Sequence, residues 1–262
     1  MRLLLPPSEV KSVGGRGRPL RSRHIDGPLG EARAAVHAAL AALLEGDHQA
    51  AAAALLLPEG VARAALDANA ALLDSPTTPA LRRYRGVVYD GLNHAGADPA
   101  AQRAAHRAVL IFSGLFGVVR GDEPIPDYRL PAKSVLPGLG IAANYWRPVL
   151  TELLNGPAGR RVLGRGVIVD LRSGDYASMW RPGDELRERV VGVRVLSPLP
   201  RGGHGIVSYN SKFAKGRLAA ALLRQVGAGN EPAGVEDVAA AWRECGGRAV
   251  VATDTGVDLY AS

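Results

Sequence analysis

The run VIVDL at residues 167–171 constrains the fold most. It is too short for a helix and too uniformly apolar for a half-solvated strand, so it reads as a buried strand. Residues 2–5, RLLL, have the same character and stop at Pro6-Pro7. Helical spacing marks residues 31–44, 58–73, 99–111, 141–154, 212–223 and 235–245. Further strands are expected at 84–89 (YRGVVY, with a turn at Asp90-Gly91), 190–196, 205–209 and 248–253. Strands and helices alternate irregularly, which predicts an α/β (α+β mixed) protein with a mixed β-sheet flanked by helices.

The 262 residues contain no repeat and no long linker, so one domain over 1–262 is expected. The Gly- and Arg-rich stretch 12–23 and the segment 199–204 read as loops. No apolar run reaches the roughly 18 residues of a membrane span, and MRLLLPPSEV is too short for a signal-peptide core. The expectation is a cytoplasmic protein without a membrane partner. One cysteine, Cys245, excludes a disulfide framework. The six histidines lack metal-ligand spacing, so no metal and no cofactor is expected. His37, His48 and His106 read as surface positions on helices.

A net charge of +7 permits attraction to phosphates. Abundant Arg with scarce Lys also suits a high-GC genome. There is no GxxxxGK[ST] loop, no GxGxxG after a strand and no GxSxG elbow; Gly138-Leu139-Gly140 is a weak match. Gly14, Gly15 and Gly17 could cradle an anion.

Five segments carry candidate chemistry. In PPSEVK, Ser8 and Lys11 follow the first strand directly, where α/β sheets place ligands. In YRGVVYDGL, Tyr89 and Asp90 sit at a strand end. In FSGLFGVVRGDEPIPDYRL, Ser113, Gly114 and Gly117 could offer backbone N–H groups to a phosphate, with Arg120 beside them. Pro124 and Pro126 would stiffen an arm carrying Asp127, Tyr128 and Arg129. In DLRSGDY, Asp170, Asp175 and Tyr176 could do acid–base work or bind a cation. In SYNSKFAKGRL, Ser211 suits a helix N-cap, and Lys212, Lys215 and Arg217 would lie in the first turns. Cations there oppose the helix dipole unless an anion is bound.

These segments, with ANYWRPVL at 143–150 and in this order, resemble the YaaA family of peroxide-stress, UPF0246-type proteins. The resemblance covers most of the chain, residues 30–80 matching only in helical character. Lys11 stands where better-known members carry the Lys of SPAK-T, and the loop at 173–176 reads SGDY where they carry an SxDY-like piece. The resemblance implies a mixed α/β domain with a basic cleft and a helix-hairpin-helix-like element, for which SGLFGVVR is the candidate. It also implies DNA binding and a limit on iron-dependent damage under hydrogen peroxide.

Three readings follow. The first is a phosphate-gripping protein for double-stranded DNA, using Lys11, Arg120, Arg129, Lys212, Lys215 and Arg217. The second is an enzyme acting on an anionic small molecule, phosphate-bearing or nucleobase-like, with Ser8, Lys11, Asp170, Asp175 and Tyr176 as catalytic groups. The third is direct iron binding by Asp170 or Asp175. Convergence of these side chains in one pocket would favour the enzyme; dispersal over a surface would favour DNA.

Overall fold

The computed structural model describes residues 1–20, 27–198, 204–205 and 208–260. Along the chain, β1 (Arg2–Leu5) is followed by α1 (Gly30–Leu44), α2 (His48–Ala54) and α3 (Glu59–Ala70). Next come β2 (Thr78–Pro79), α4 (Ala80–Arg83), α5 (Val87–Leu92) and α6 (Pro99–Ala108). The strands β3 (Val109–Ser113), β4 (Gly117–Arg120), β5 (Pro124–Ile125), β6 (Val135–Leu136) and β7 (Gly140–Ile141) lead into α7 (Ala142–Asn155) and α8 (Gly159–Leu163). Then follow β8 (Ile168–Asp170), α9 (Gly174–Ala177), α10 (Asp184–Arg187), β9 (Val190–Pro198) and β10 (His204–Gly205). The last elements are α11 (Ser208–Gly227), α12 (Val235–Glu244), β11 (Arg248–Thr253) and β12 (Gly256–Tyr260).

The main sheet runs β11-β12-β9-β8-β1-β3-β4, with β10 paired to β9. Its inner strands β12, β9, β8, β1 and β3 are parallel, and the flanking pairs β3/β4 and β11/β12 are antiparallel. Leu3, Leu4 and Leu5 are fully buried, which is why so short a run can serve as a central strand. From β1 the chain passes first to β3 on one side and later to β8 on the other. Such a switch point opens a crevice outside the carboxyl ends of the strands. One apolar core joins β1, β3, β8 and β9 to residues of α6, α7, α11 and α12. Arg33 of α1 reaches across to β4, donating from Nε to the Phe116 carbonyl (3.0 Å) and from Nη2 to the Val118 carbonyl (2.7 Å). Its Nη1 pairs with Glu123 at 2.8 Å.

Several local expectations are corrected. YRGVVY is not a strand: Tyr84 ends α4, and Gly86, at φ 97°, opens α5. Asp90-Gly91 is therefore helical, not a turn. The cause is tertiary. A Cβ on Gly91 would strike the Phe213 carbonyl, and one on Gly216 would strike that of Val88. Helices α5 and α11 pack backbone to backbone, and this contact outweighs the strand preference of Val87 and Val88.

The helix expected over 99–111 ends at Ala108, because Val109–Ile111 pair with Leu3–Leu5. Residues 208–209 belong to α11 rather than to a strand, and 206–207 lie outside the described residues. So do 21–23 and 199–203 of the expected loops. β12 was not expected; it buries Val257 and Leu259 on alternate positions. Gly15 and Gly17 do not cradle an anion but lie against Thr77, with Gly17 and Thr77 exchanging backbone hydrogen bonds. His37 is not a surface residue. It packs edge-on against Phe116, and burial lowers its pKa to about 4. His106 is also half-buried, 5.2 Å from the His94 ring, while His48 is exposed. No helix among the described residues is long and apolar enough to cross a membrane.

Candidate functional site at the carboxyl ends of the central strands

After β1 the chain is held by a short ladder. Ser12 N–H donates to the Arg83 carbonyl (2.8 Å) and Arg85 N–H to the Val10 carbonyl (3.0 Å). Arg83 is fully buried and spends its guanidinium on the carbonyls of Ile125, Pro76 and Ser12. Between these ties sits Lys11. Its Nζ donates to the Ser8 carbonyl (2.9 Å) and lies 4.3 Å from the Tyr128 ring centre and 5.5 Å from that of Tyr84. Burial lowers the Lys11 pKa to about 8, although Glu9 and Asp127 pull it upward. Ser8 Oγ accepts the Val10 N–H at 3.2 Å.

At the end of β3, Ser113 Oγ shares a hydrogen bond with Tyr128 Oη (2.7 Å), which shares another with Tyr84 Oη (2.6 Å). Tyr89 stacks on Tyr84 and donates to the Pro6 carbonyl at 2.8 Å. Tyr176 of α9 lies within electrostatic reach of Glu9 and Tyr128. Burial raises the pKa of Tyr84, Tyr89, Tyr128 and Tyr176, so these phenols stay protonated and act as neutral donors. Arg129 Nε approaches Glu9 at 3.3 Å, and its backbone is gripped twice by the Asn69 amide.

At the end of β8, Asp170 accepts two bonds from the Arg172 guanidinium, at 2.9 and 2.7 Å, and one from its N–H. That guanidinium lies over Phe112 and Trp180 and also bonds the carbonyls of Tyr176 and Trp180. Lys215 of α11 donates to the Arg172 carbonyl (3.1 Å). Burial lowers its pKa, with Asp170 opposing.

The fold thus gathers Ser8, Lys11, Ser113, Tyr128, Arg129 and Tyr176 round Glu9, Tyr84 and Tyr89. Asp170 and Lys215 stand at the adjoining end of β8, where Asp170 is in register with Leu4 of β1.

The remaining sequence candidates fall elsewhere. The segment 113–117 is the tight turn of a β-hairpin, Ser113 facing Gly117, and not a hairpin between two helices. Its backbone does not face outward. The N–H groups of Leu115 and Phe116 are spent on Ser113 Oγ, and both residues are buried. Gly114 admits the Leu130 carbonyl, and Gly117 admits the Trp146 ring. Arg120 is in register with Leu110 at the opposite end of the sheet, where it pairs with Asp122. α11 begins at Ser208, so Ser211 is not its N-cap, and Lys215 and Arg217 are past its first turn. Lys212 is exposed. Arg217 leans over Trp242 and donates to the Cys245 carbonyl at 2.8 Å. Asp175 is half-exposed and pairs with Lys133 at 3.1 Å. Asp170 is tied to Arg172. Among the described residues no three His, Cys, Asp or Glu side chains gather as a metal site.

Nor is this end of the sheet strongly basic. Lys11, Arg83, Arg129, Lys133, Arg172 and Lys215 stand against Glu9, Asp127, Asp170 and Asp175, and Glu9, Asp170 and Asp175 are each paired. Tyr84 and Arg83 were missed in the sequence, the first because it was assigned to a strand. Asn69 lay in an Ala-rich helix that looked like plain scaffold.

Fold and site together define an α/β protein whose polar loops meet at the carboxyl ends of the central parallel strands. The family described as peroxide stress protein YaaA matches residues 1–238, and this chain belongs to it. It is 40% identical over 247 residues to a UPF0246 protein of Streptomyces coelicolor, spanning 94% of this chain and 90% of the relative. A UPF0246 protein of Corynebacterium glutamicum is 37% identical over 227 residues, and one of Corynebacterium efficiens 38% over 228; both alignments span 85% of this chain and 84% of the relative.

Proposed function

We propose that this protein serves in the response to hydrogen peroxide, in the sense of its family's description, as a cytoplasmic enzyme acting on a small anionic molecule. The ligand, a carboxylate or phosphate compound, is held at the carboxyl ends of β1, β3 and β8. Lys11 exchanges the proton, Arg129 and Lys215 hold the negative group, and Tyr128 donates a hydrogen bond that Ser113 and Tyr84 orient. The observation that carries this reading is the seat of Lys11. A buried amine over two tyrosine rings, with its pKa lowered to about 8, is poised to be both acid and base near neutral pH.

Double-stranded DNA is the second reading. Exposed Lys212 and Arg217 on α11 and the net charge of +7 favour it. Any restraint on iron-dependent damage is then indirect, through DNA protection or metabolism.

Complementation under peroxide separates the two. A strain lacking the gene is given wild-type protein, Lys11→Met, or the pair Lys212→Ala and Arg217→Ala, and survival is compared at matched protein levels. The small-molecule reading expects Lys11→Met to lose protection while the α11 pair keeps it. The opposite pattern, with a steep loss of duplex affinity as salt rises, would transfer the function to DNA.

A further inference from the structure

A second recess lies at the opposite, amino end of the sheet, with a cavity volume of about 920 Å³. Its walls come from β1, β3, β4, α1, α6, α7, α8 and the end of α11. Five arginines line it: Arg2, Arg33, Arg107, Arg120 and Arg161. Two of them are neutralised, Arg33 by Glu123 and Arg120 by Asp122. The recess carboxylate Glu231 is engaged by the amino group of Met1.

Among the described residues no carboxylate bonds Arg2, although Glu231 lies within electrostatic reach. Arg2 Nε donates to the Val162 carbonyl and its Nη1 to the Arg107 carbonyl, both at 2.8 Å. This places it between α8 and the end of α6, with Arg161 and Arg107 to either side. Arg107 and Arg161 are exposed and make no ion pair with the described residues. Burial and the nearby Arg120 lower the Arg2 pKa, and Glu231, already engaged by the Met1 amino group, opposes them only in part. Like charges gathered at a recess repel one another unless an anion joins them.

The floor is of another kind. Leu29, Leu110, Val118, Val119 and Leu153 line it and are all buried. A simple phosphate would leave such a wall unused. Among the described residues no large exposed apolar residue stands at the rim, as a membrane-inserting face would require.

We propose that this recess binds a soluble anionic amphiphile: a carboxylate or phosphate monoester head between Arg2, Arg107 and Arg161, with an aliphatic body on the Leu110–Val118 floor. The volume falls in the usual range for a small-molecule site. The inference is independent of the function proposed for the carboxyl end.

The full-length protein is titrated calorimetrically with sodium decanoate below its aggregation threshold, with inorganic phosphate, with decyl maltoside, and with vesicles of anionic phospholipid. Decanoate is expected to bind one site, with phosphate and maltoside at least about tenfold weaker. Arg107→Ala with Arg161→Ala, both at exposed positions, should weaken decanoate by about tenfold or more. Lys11→Met should leave it unchanged.

Absence of decanoate binding, or equal binding by the double variant, overturns the proposal. Phosphate binding as tightly as decanoate makes this a plain anion site. Vesicle binding without monomer binding makes it a membrane face. Loss of binding in Lys11→Met moves the ligand to the carboxyl end. Each of these outcomes also overturns the proposal.

Discussion

The two ends of the sheet handle charge in opposite ways. At the carboxyl end, Asp170 meets Arg172, Arg129 meets Glu9, and Arg83 is spent on three carbonyls. At the amino end, Arg2, Arg107 and Arg161 make no ion pair with a carboxylate among the described residues, and Glu231 is engaged by the Met1 amino group. The carboxyl end nevertheless holds more of the shifted groups, because burial there moves the pKa of Lys11 and of four tyrosines, whereas at the amino end it moves that of Arg2. A basic composition therefore points to the amino end, away from these shifted groups. Desolvation and fixed neighbours mark the reactive candidate, while excess charge marks a place that attracts.

The contrast can be broken at the carboxyl end first. Gly216→Ala puts a methyl into the Val88 carbonyl, so α11 must part from α5 and carry Lys215 with it. The expected loss is about 3 kcal/mol in urea unfolding. A loss under about 0.5 kcal/mol would mean that the two helices are not locked together.

Lys11→Met has a similar size and the opposite sign. The amine holds its proton less well folded than unfolded, so stability rises with pH from about 8 to the ordinary 10.5. Below that window the folded state carries a penalty of about 3 kcal/mol. The variant should be more stable than wild type at pH 7, and its stability should lose the Lys11 share of the rise over the window, leaving the smaller contributions of Lys215 and the buried tyrosines. A less stable variant at pH 7 would show that the Lys11 charge is compensated.

Tyr128→Phe leaves Ser113 and Tyr84 each without one partner, for about 1–2 kcal/mol. An unchanged unfolding midpoint would show that the hydroxyl chain does not contribute. The smallest effect belongs to the amino end. Arg107→Ala with Arg161→Ala should change stability by no more than about 0.5 kcal/mol, since neither cation has a partner to lose. A loss of 2 kcal/mol or more would reveal a compensating charge there.

Much of the carboxyl end was legible because short buried strands announce the loops that follow them. RLLL led to Ser8 and Lys11, and VIVDL to Asp170 and Tyr176. What was hidden depends on register and on contacts far along the chain. Arg120 stands seven residues from Ser113, yet the β3/β4 hairpin folds back and sends it to the other end of the sheet. Glycines in SGLFG suggested an exposed turn, but they are small to admit Leu130 and Trp146. Gly91 and Gly216 are 125 positions apart and make sense only once α5 meets α11. Arg2, Arg107 and Arg161 carry no motif at all; the strand order alone assembles them.

Arg33 has a consequence beyond its own contacts. β4 is the last strand of the sheet, and its outward carbonyls could template a strand from another molecule. By occupying the carbonyls of Phe116 and Val118, Arg33 withdraws two of those acceptors and sets a charged group across the open margin. The guanidinium thus works as a gatekeeper against edge-to-edge aggregation, from within a helix whose sequence otherwise resembles filler.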